Sequence, residues 1–210
     1  MAGLKESTRV ELLELGRQKA FLPGETLYRI GDPPDGLHGL IDGRVSLSVP
    51  NDSGSVFDCH IGTAGFWVGD MALFSKGNRL ITVTAITEVR TWFLPQAALL
   101  KAIQARPDLV ADFYALAHYS MSIALRLLAN LAIPDAAPRV AAWLLFVDES
   151  AAEPGQWIEA SQEQVGRMNA LSLPTARRVL KRMTDQGLVE LGYGRLRVLD
   201  RARLSDFCAS

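Results

Sequence analysis

Residues 161–183 read Ser-Gln-Glu-Gln-Val-Gly-Arg-Met-Asn-Ala-Leu-Ser-Leu-Pro-Thr-Ala-Arg-Arg-Val-Leu-Lys-Arg-Met, and they predict two short helices joined by a tight turn. Ser172 is a good N-cap for the second helix, and Pro174 falls in its first turn, where a missing N–H costs little. Apolar residues then repeat with helical spacing at Ala176, Val179, Leu180 and Met183. One face of this helix is therefore expected to be buried.

Cationic and polar side chains cover the remaining surface of the second helix. Thr175, Arg178 and Arg182 share one face, and Arg177 and Lys181 flank it. A buried stripe backed by Arg and Lys at the start of a second helix is what docking in the DNA major groove requires. The stretch therefore predicts binding to double-stranded DNA.

The charge of the chain is unevenly distributed. The formal net charge is −1, but residues 160–210 hold nine Lys and Arg against five Asp and Glu. This segment therefore carries +4, and the rest of the chain carries −5. Such asymmetry suits a basic nucleic-acid module attached to an acidic domain. A merely solvated charged surface is the alternative.

The composition is that of an ordinary globular protein, with 210 residues, 49% hydrophobic and 21% charged. This length leaves room for one large or two small domains. There is no uninterrupted apolar run of ~18 residues and no apolar signal core at the N-terminus, so neither a membrane span nor export is expected. Cys59 and Cys208 lie far apart in sequence, which argues against a disulfide framework. A cytoplasmic protein is the expectation.

Short runs of β-forming residues fill residues 21–92, separated by turn signals rich in Gly, Pro and Asn. Three such runs are residues 26–30, 44–49 and 81–86. Many short strands with frequent glycine turns predict an antiparallel, jelly-roll-like β-roll. Weaker helical patterns flank it at residues 7–17 and 95–105.

A long helix is expected from residue 107 or 108 to about residue 131. One series within it alternates spacings of four and three, the rhythm of a coiled-coil seam: Leu109, Phe113, Leu116, Ser120, Ile123 and Leu127. These residues are the predicted dimer interface, because a protein that binds two symmetric DNA half-sites needs a second, symmetry-related copy. The alternative is a helix packed against its own domain.

The segment Ile-Pro-Asp-Ala-Ala-Pro, residues 133–138, ends this helix and offers Asp135 as the N-cap of the next one, about residues 138–149. After the two-helix motif, residues 188–191 and 195–199 flank Gly192-Tyr193-Gly194, which predicts a β-hairpin and hence a winged module. The expected fold class is α+β. The expected domains are a β-roll with flanking helices (1–106), a dimerisation helix (107–133) and a winged helix-turn-helix (134–210).

In this order of elements the chain resembles the catabolite-activator and fumarate–nitrate regulator (Crp/Fnr) family of bacterial transcription factors. Local matches that support the resemblance are Gly31-Asp32, residues 42–45, residues 69–74, Asn130-Leu131 with Asp135 and Arg139, and residues 186–189. The resemblance implies a homodimer on a palindromic operator, with half-sites about one helical turn (~34 Å) apart. It also implies RNA polymerase as a partner and a small-molecule effector in the roll.

Members of that family often bind a cyclic nucleotide in the roll. The positions that the resemblance assigns to this pocket are Gly69, Asp70, Arg79, Leu80, Ala124 and Leu125. Asp70 is one methylene shorter than the family's usual Glu, and Leu80, Ala124 and Leu125 replace residues that carry hydroxyls. Each lost neutral hydrogen bond is worth ~0.5–1.5 kcal/mol, so tight cyclic AMP binding is not expected. Arg79 matches the phosphate-binding arginine, with a structural or surface arginine as the alternative.

Other effectors are constrained by the cysteines and histidines. No cysteine precedes Cys59, which excludes the iron–sulfur cluster of the family's redox branch. Haem stays open as a cofactor, with Asp58, Cys59 and His60 as the one ligand-like cluster. Adjacent strand residues point to opposite faces, so Cys59 and His60 are not expected to share a metal or to form a nucleophile pair. No metal site, no catalytic residue and no enzyme are expected.

The resemblance also suggests which residues read DNA. Arg178 matches the family's guanine-reading arginine, and such a bidentate pair discriminates by ~1–3 kcal/mol. Leu173 and Pro174 replace a polar pair of the family, which predicts a changed operator. The other residues expected at the DNA are Gln162, Arg167, Thr175, Arg177, Lys181, Arg182 and Arg195, with Arg197 beside Arg195 on the wing. The alternative is a module whose winged domain contacts protein instead of DNA.

Overall fold

The computed structural model describes residues 12–50, 56–73, 75, 77–150 and 154–208. The chain divides into two compact units, and the boundary lies between Ala124 and Leu125, within the long helix. The helix predicted at residues 7–17 falls partly outside the described residues. Residues 12–15 are helical, but Arg17 already begins the first strand, so the prediction is wrong at that end.

Two antiparallel sheets form the first unit, as the predicted β-roll required. Their strands are β1 (Arg17–Phe21), β2 (Thr26–Tyr28), β3 (Gly36–Asp42), β4 (Val45–Pro50), β5 (Val56–Gly62), β6 (Trp67–Val68), β7 (Thr82–Ala85) and β8 (Val89–Pro95). One sheet has the order β1-β8-β3-β6, and the other has the order β2-β7-β4-β5. The three runs predicted as strands are confirmed as β2, β4 and β7, with slightly different ends.

Two hydrophobic cores stabilise this unit. The inner core lies between the sheets and consists of Tyr28, Leu40, Val45, Leu47, Val68, Val83, Ala85 and Val89. The outer core joins the sheet of β3, β6 and β8 to two helices, α1 (Gln96–Ala105) and α2 (Leu109–Leu131). Leu37 belongs to the outer core and Leu40 to the inner one, so β3 is apolar on both faces. Gly39 leaves room for Trp67, because a Cβ there would lie 2.7 Å from the indole.

The long helix α2 has nearly its predicted bounds, and part of its predicted dimer face is covered within the chain. Leu109, Phe113 and Leu116 belong to the outer core and are 0%, 2% and 6% exposed. The other members of the predicted seam are Ser120 and Leu127, both half-buried, and Ile123, which is buried. The first half of the series is therefore packed against its own domain and not against a second chain, because the roll presents an apolar sheet face to it.

The second unit contains the predicted winged helix-turn-helix. Its elements after α2 are α3 (Ala136–Glu149), α4 (Gln162–Met168), α5 (Leu173–Asp185), β9 (Val189–Gly192), β10 (Arg195–Val198) and α6 (Arg201–Cys208). Asp135 is the N-cap residue of α3, but its side chain makes no capping hydrogen bond. The wing turn is shorter than predicted, because Gly192 pairs with Arg195 and leaves only Tyr193 and Gly194 between the strands. Within the described ranges, no helix is long and apolar enough to cross a membrane.

Candidate nucleic-acid interface and effector pocket

Helix α4 is capped at its start and is followed by a tight turn into α5. Ser161 and Gln164 form a capping box: the Ser161 N–H donates to Gln164 Oε1 at 2.8 Å, and the Gln164 N–H donates to Ser161 Oγ at 3.2 Å. Gly166 lets the chain beyond α4 approach closely, since a Cβ there would lie 3.1 Å from the Leu171 carbonyl oxygen. Ala170 takes a left-handed backbone conformation, with φ of 52°. The Leu171 N–H closes this turn by donating to the Gly166 carbonyl oxygen at 2.9 Å.

Helix α5 has one buried face and one exposed cationic face. Its N-cap is Ser172, whose Oγ accepts a hydrogen bond from the Thr175 N–H at 3.4 Å. The predicted apolar face is confirmed, with Ala176, Val179, Leu180 and Met183 all buried. Arg177 and Arg178 are exposed, and neither forms an ion pair with any residue that the structure describes. These two guanidinium groups are therefore available to an anionic partner.

Two of the other predicted DNA contacts already have acidic partners. Arg167 donates to Glu163 at 2.9 Å, and Lys181 lies 2.8 Å from a carboxylate oxygen of Asp185, each pair spanning one helical turn. Exposed pairs of this kind contribute little to stability and are screened by salt. Their charge is thus partly compensated in the free protein, unlike that of the arginines at the start of α5.

The remaining predicted readers lie at helix ends and on the flank of α5. Gln162 is the first residue of α4, and Leu173 and Pro174 are the first two residues of α5. The guanidinium carbon of Arg182 lies 5.1 Å from the centroid of the Phe207 ring, a cation–π contact with α6. All the predicted DNA contacts except Arg195 and Arg197 therefore lie on α4 and α5.

Arg195, the predicted contact on the wing, lies over an indole. Its guanidinium carbon is 4.3 Å from the centroid of the Trp157 ring, and that of Arg197 is 4.8 Å from it. Arg197 also pairs with Glu190 at 2.6 Å, whereas Arg195 has no ion pair within the described part of the chain. Sequence reasoning missed Trp157, although a large aromatic residue in a polar turn was a visible signal.

A buried hydrogen-bond network near the end of α2 was also missed. Asn169 is fully buried; its Nδ2 donates to the Val165 carbonyl oxygen at 2.9 Å, and its Oδ1 accepts from Asn130 Nδ2 at 3.2 Å. Arg139 donates to the Asn169 carbonyl oxygen at 2.8 Å and to two carbonyl oxygens just after α2 at 2.9 and 3.0 Å. The network ties the helix-turn-helix to the end of α2.

Arg79, the predicted phosphate ligand of the roll, is 2% exposed and bonded to the protein itself. Its Nη1 donates to the Gly69 carbonyl oxygen at 3.0 Å, and its Nη2 donates to Asp35 Oδ1 and to the Gly36 carbonyl oxygen, both at 2.7 Å. Its guanidinium carbon lies 4.2 Å from the centroid of the Tyr28 ring. Gly69 is required beside it, since φ is 102° and a Cβ would lie 2.4 Å from Nη1. Both terminal nitrogens of Arg79 are therefore bonded to oxygens of the roll itself.

The other predicted pocket residues differ in burial. Asp70 is buried, and this burial raises the pKa of its carboxyl group despite a hydrogen bond with Ser120. Leu80 and Leu125 are 60% and 58% exposed, and Ala124 is exposed as well. Asp70 and Arg79 are thus buried in the roll, whereas Leu80, Ala124 and Leu125 are exposed.

The cluster Asp58, Cys59 and His60 does not converge on a common point. Asp58 and His60 pair with consecutive residues of β4, which makes Cys59 the extra residue of a β-bulge. Asp58 accepts a hydrogen bond from Ser46 Oγ at 3.0 Å, and the His60 ring lies 5.0 Å from that of Phe66. Burial raises the pKa of the Cys59 thiol to about 11. No group of three metal-ligating side chains occurs among the residues described.

His38 is fully buried among aromatic rings of the roll. Its Nδ1 lies 3.1 Å from Thr91 Oγ1, and its ring centroid lies 4.7 Å from that of Phe93. Burial is the main reason that the pKa of His38 falls to about 3, and the charge of Lys19 lowers it further. The imidazole is therefore neutral at physiological pH.

An apolar stripe on α2 remains uncovered. It has the same rhythm as the predicted seam but is offset by one residue, and its members are Val110, Tyr114, Ala117, Met121, Ala124, Leu128 and Leu131. Tyr114 and Leu128 are 70% and 64% exposed, and Val110 and Met121 are each 44% exposed. An offset of one residue is ~100° around a helix, so this stripe lies on a different face from the residues in the outer core.

Family comparisons match both units. The cyclic nucleotide-binding domain matches residues 18–106, and the Crp-like helix-turn-helix domain matches residues 138–207. The CRP-like cAMP-activated global transcriptional regulator of Mycobacterium tuberculosis is 24% identical over 208 residues, which cover 97% of this chain and 93% of that protein. The cAMP-activated global transcriptional regulator CRP of Haemophilus influenzae is 27% identical over 183 residues, covering 85% and 81% of the two chains.

Solved structures have the same fold. FixK2 from Bradyrhizobium japonicum superposes with a TM-score of 0.83 at 21% identity, over 93% of this chain and 98% of that one. The c-di-GMP responsive global regulator CLP of Xanthomonas campestris superposes with a TM-score of 0.75 at 20% identity, over 93% and 100% of the two chains. At these identities the similarity establishes a shared architecture.

Proposed function

The chain belongs to the Crp/Fnr family of DNA-binding transcription regulators, and from this membership we propose that it acts as a homodimer that reads a two-fold symmetric operator through α5. The observation that carries the proposal is the start of α5. There Arg177 and Arg178 are exposed and without ion-pair partners among the described residues, while the opposite face is buried. This is the arrangement with which a recognition helix enters the major groove.

Distinct roles are proposed for the side chains of this surface. Arg178 reads a guanine, because its guanidinium is free to make the bidentate contact that guanine favours. Leu173 and Pro174 offer no side-chain hydrogen bonds and contact a thymine methyl group instead. The phosphate contacts are assigned to Gln162, Arg167, Thr175, Arg177, Lys181, Arg182 and Arg195.

The uncovered stripe of α2 supports the homodimer. Its residues repeat every three and four positions over three heptads, from Val110 to Leu131, as the a and d positions of a coiled coil do. A second copy of this chain is the proposed occupant, because it presents an identical stripe and supplies the symmetric second α5 that a palindromic operator requires. The homodimer interface is thus assigned to this stripe and not to the residues that fill the outer core.

Cyclic AMP is not the effector in this proposal. Both terminal nitrogens of Arg79 already donate to protein oxygens, so a phosphate would have to displace Asp35 and two backbone carbonyl groups. The residues with exposed apolar side chains, Leu80 and Leu125, offer no hydrogen bonds to replace those of the cyclic-AMP-binding relatives. A small effector of the roll would therefore have to use other groups.

Fluorescence anisotropy with a palindromic duplex, selected from random sequences, tests the function. Arg178→Ala is expected to lose ~1–3 kcal/mol of discrimination at one guanine per half-site, or about 5- to 150-fold. Lys181→Ala, the matched control, is expected to weaken binding to every sequence alike. An Arg178→Ala protein with unchanged preference would remove Arg178 as the base reader. A wild-type protein that binds selected and scrambled duplexes equally would contradict the proposed function.

A further inference from the structure

A cleft separates the wing from the helix-turn-helix within the second unit. Its volume is about 410 Å³, and its walls include Ser161, Gln162 and Arg177 on one side and Tyr193 and Arg195 on the other. Each wall therefore contributes one arginine. Since Arg177 also belongs to the exposed surface of α5, the cleft is continuous with the proposed DNA-binding face.

The wing holds Arg195 in a defined orientation. Ile158 exchanges two backbone hydrogen bonds with Leu196, at 2.7 and 2.9 Å, which places Trp157 beside β10. Side chains alternate along a strand, so Leu196 is buried while Arg195 lies on the other face, over the indole. Gly192 leaves the necessary space, because a Cβ there would lie 3.0 Å from Arg195 Cγ and 3.2 Å from Trp157 Cζ3.

The contact with the indole leaves the N–H donors of Arg195 available. A guanidinium on an aromatic face keeps its N–H groups in its own plane, where they match the two oxygens of a phosphate. Arg197 also lies over the indole, but it forms an ion pair with Glu190, in which Nη2 lies 2.6 Å from Oε2. Arg195 has no such acidic partner within the described ranges. Of the two wing arginines, Arg195 is therefore the one equipped for a phosphate.

Tyr193 stands at the tip of the wing, beside this arginine. Gly194 has a φ of 67°, which lets the hairpin turn contain only Tyr193 and Gly194. The Tyr193 side chain is fully exposed. Single exposed aromatic residues are common, so its place at the mouth of a cationic cleft is what matters here.

The geometry of B-DNA connects these features. One sugar–phosphate backbone separates the major groove from the minor groove beside it, so a protein with a helix in one and a hairpin next to the other has to straddle that backbone. We propose that the cleft holds this strand between Arg177 and Arg195, and that Tyr193 enters the adjoining minor groove. The wing then reads sequence outside the half-site that α5 contacts. This inference rests on the proposed function and extends it.

The preferred flanking sequence follows from the groove chemistry. The amino group of guanine projects from the floor of the minor groove, whereas A·T pairs leave the floor open. A side chain that inserts there is therefore expected to favour A·T pairs, by about fivefold or more per base pair. The contact at Arg195 is with phosphate and adds affinity without sequence choice.

Anisotropy with full-length protein and operator duplexes of varied flanks and salt tests the proposal. Tyr193→Ala is expected to abolish the A·T preference in the flank while keeping the half-site preference. Arg195→Ala is expected to lower the slope of log K against log salt by ~0.9 per protomer, or ~1.8 for a dimer. Arg197→Ala is the matched control, since it removes the same charge from the same face but should change the slope much less. Thermal unfolding of each variant checks that the wing is folded.

The outcomes separate this inference from the proposed function. A wild-type protein that does not select an operator would overturn both. A wild-type protein that selects its operator without any flank preference would overturn the role of Tyr193. Equal slope changes for Arg195→Ala and Arg197→Ala would overturn the cleft as the phosphate site, because net charge alone would then explain them, while α5 would remain the reader.

Discussion

Arg79 is the residue that most changes how the roll is understood. The sequence places it at the phosphate-binding position of the family, but a position in a sequence does not tell whether a guanidinium faces a ligand or its own backbone. Here the deciding partners are Asp35 and the carbonyl oxygens of Gly36 and Gly69. Gly36 and Asp35 are distant from Arg79 along the chain, so only the folded roll reveals them.

Arg79→Gln is predicted to destabilise the roll and to leave its response to cyclic AMP unchanged. The substitution removes the donors of the buried Gly36 carbonyl group and the half-buried Gly69 carbonyl group. A buried group left without a partner costs ~1–3 kcal/mol. Chemical denaturation measures this loss. The control is Arg90→Gln, which removes an exposed ion pair with Asp42 and should have a much smaller effect.

Wild-type protein should show no rise in melting temperature with added cyclic AMP. A rise that Arg79→Gln abolishes would contradict the structural role of this arginine.

His38 predicts how the stability of the roll depends on pH. Its pKa is about 3 in the fold and ordinarily about 6.5, so the unfolded chain binds the proton more readily. The contribution of His38 to the free energy of unfolding is therefore fully present above about pH 6.5. It is lost as the pH is lowered toward 3, by up to ~1.4 kcal/mol per pH unit. His60, whose pKa burial lowers to about 4, acts in the same direction.

His38→Gln separates the two histidines. The variant should show a shallower fall of the unfolding free energy between pH 6 and pH 4 than wild-type protein, by about one proton. A ¹H–¹³C titration of wild-type protein should show the His38 ring neutral down to about pH 4. A His38 ring that titrates near pH 6.5 in folded protein would refute the account.

At the scale of elements, α2 shows what periodicity can and cannot predict. Its existence and length follow from a long apolar pattern without Gly or Pro. Its orientation does not, because two neighbouring series, beginning at Leu109 and Val110, have the same spacing and are both apolar. Only the apolar outer face of the sheet, to which Leu37 and Leu94 belong, decides which series is covered within the chain.

Met121→Glu is predicted to convert the dimer into a monomer. Met121 lies in the middle of the uncovered stripe and is 44% exposed, so a carboxylate there is tolerated by the monomer but would be buried in the seam. Sedimentation velocity measures the change. Ser122→Glu, at an exposed position on the next residue, should remain dimeric.

Phe113→Ala distinguishes the two faces of α2. Phe113 is 2% exposed in the outer core, so its truncation should cost ~3–5 kcal/mol of stability. If Phe113→Ala dissociated a dimer without loss of stability, the series beginning at Leu109 would be the seam after all.

The helix-turn-helix was predictable in finer detail than α2. Its N-caps, apolar face and turn are encoded within about two dozen neighbouring residues, so local spacing is enough. The contacts that position it are not local. Trp157 under Arg195 and Asn130 beside Asn169 each join residues almost forty apart, and no periodic signal marks them.

At the scale of the whole molecule, the charge asymmetry and the proposed two-fold symmetric binding to DNA would act together. The basic segment of residues 160–210 supplies attraction to DNA of any sequence, and this attraction weakens as salt rises. Selectivity for one site then has to come from base contacts and from the simultaneous use of two half-sites. Simultaneous binding to two half-sites requires a dimer, and the proposed dimer requires the stripe of α2; this dependence can be measured.

The spacing of half-sites gives the prediction that tests this link. Two recognition helices related by a two-fold axis meet the same face of DNA only when the half-sites are about one turn apart. An insertion of about five base pairs, half of the ~10.5 base-pair turn, should lower the affinity of wild-type protein to that for a single half-site. Met121→Glu protein, expected to be monomeric, should bind both duplexes with that lower affinity. Wild-type binding that ignores the insertion would mean that each α5 acts alone, and the homodimeric reader would be wrong.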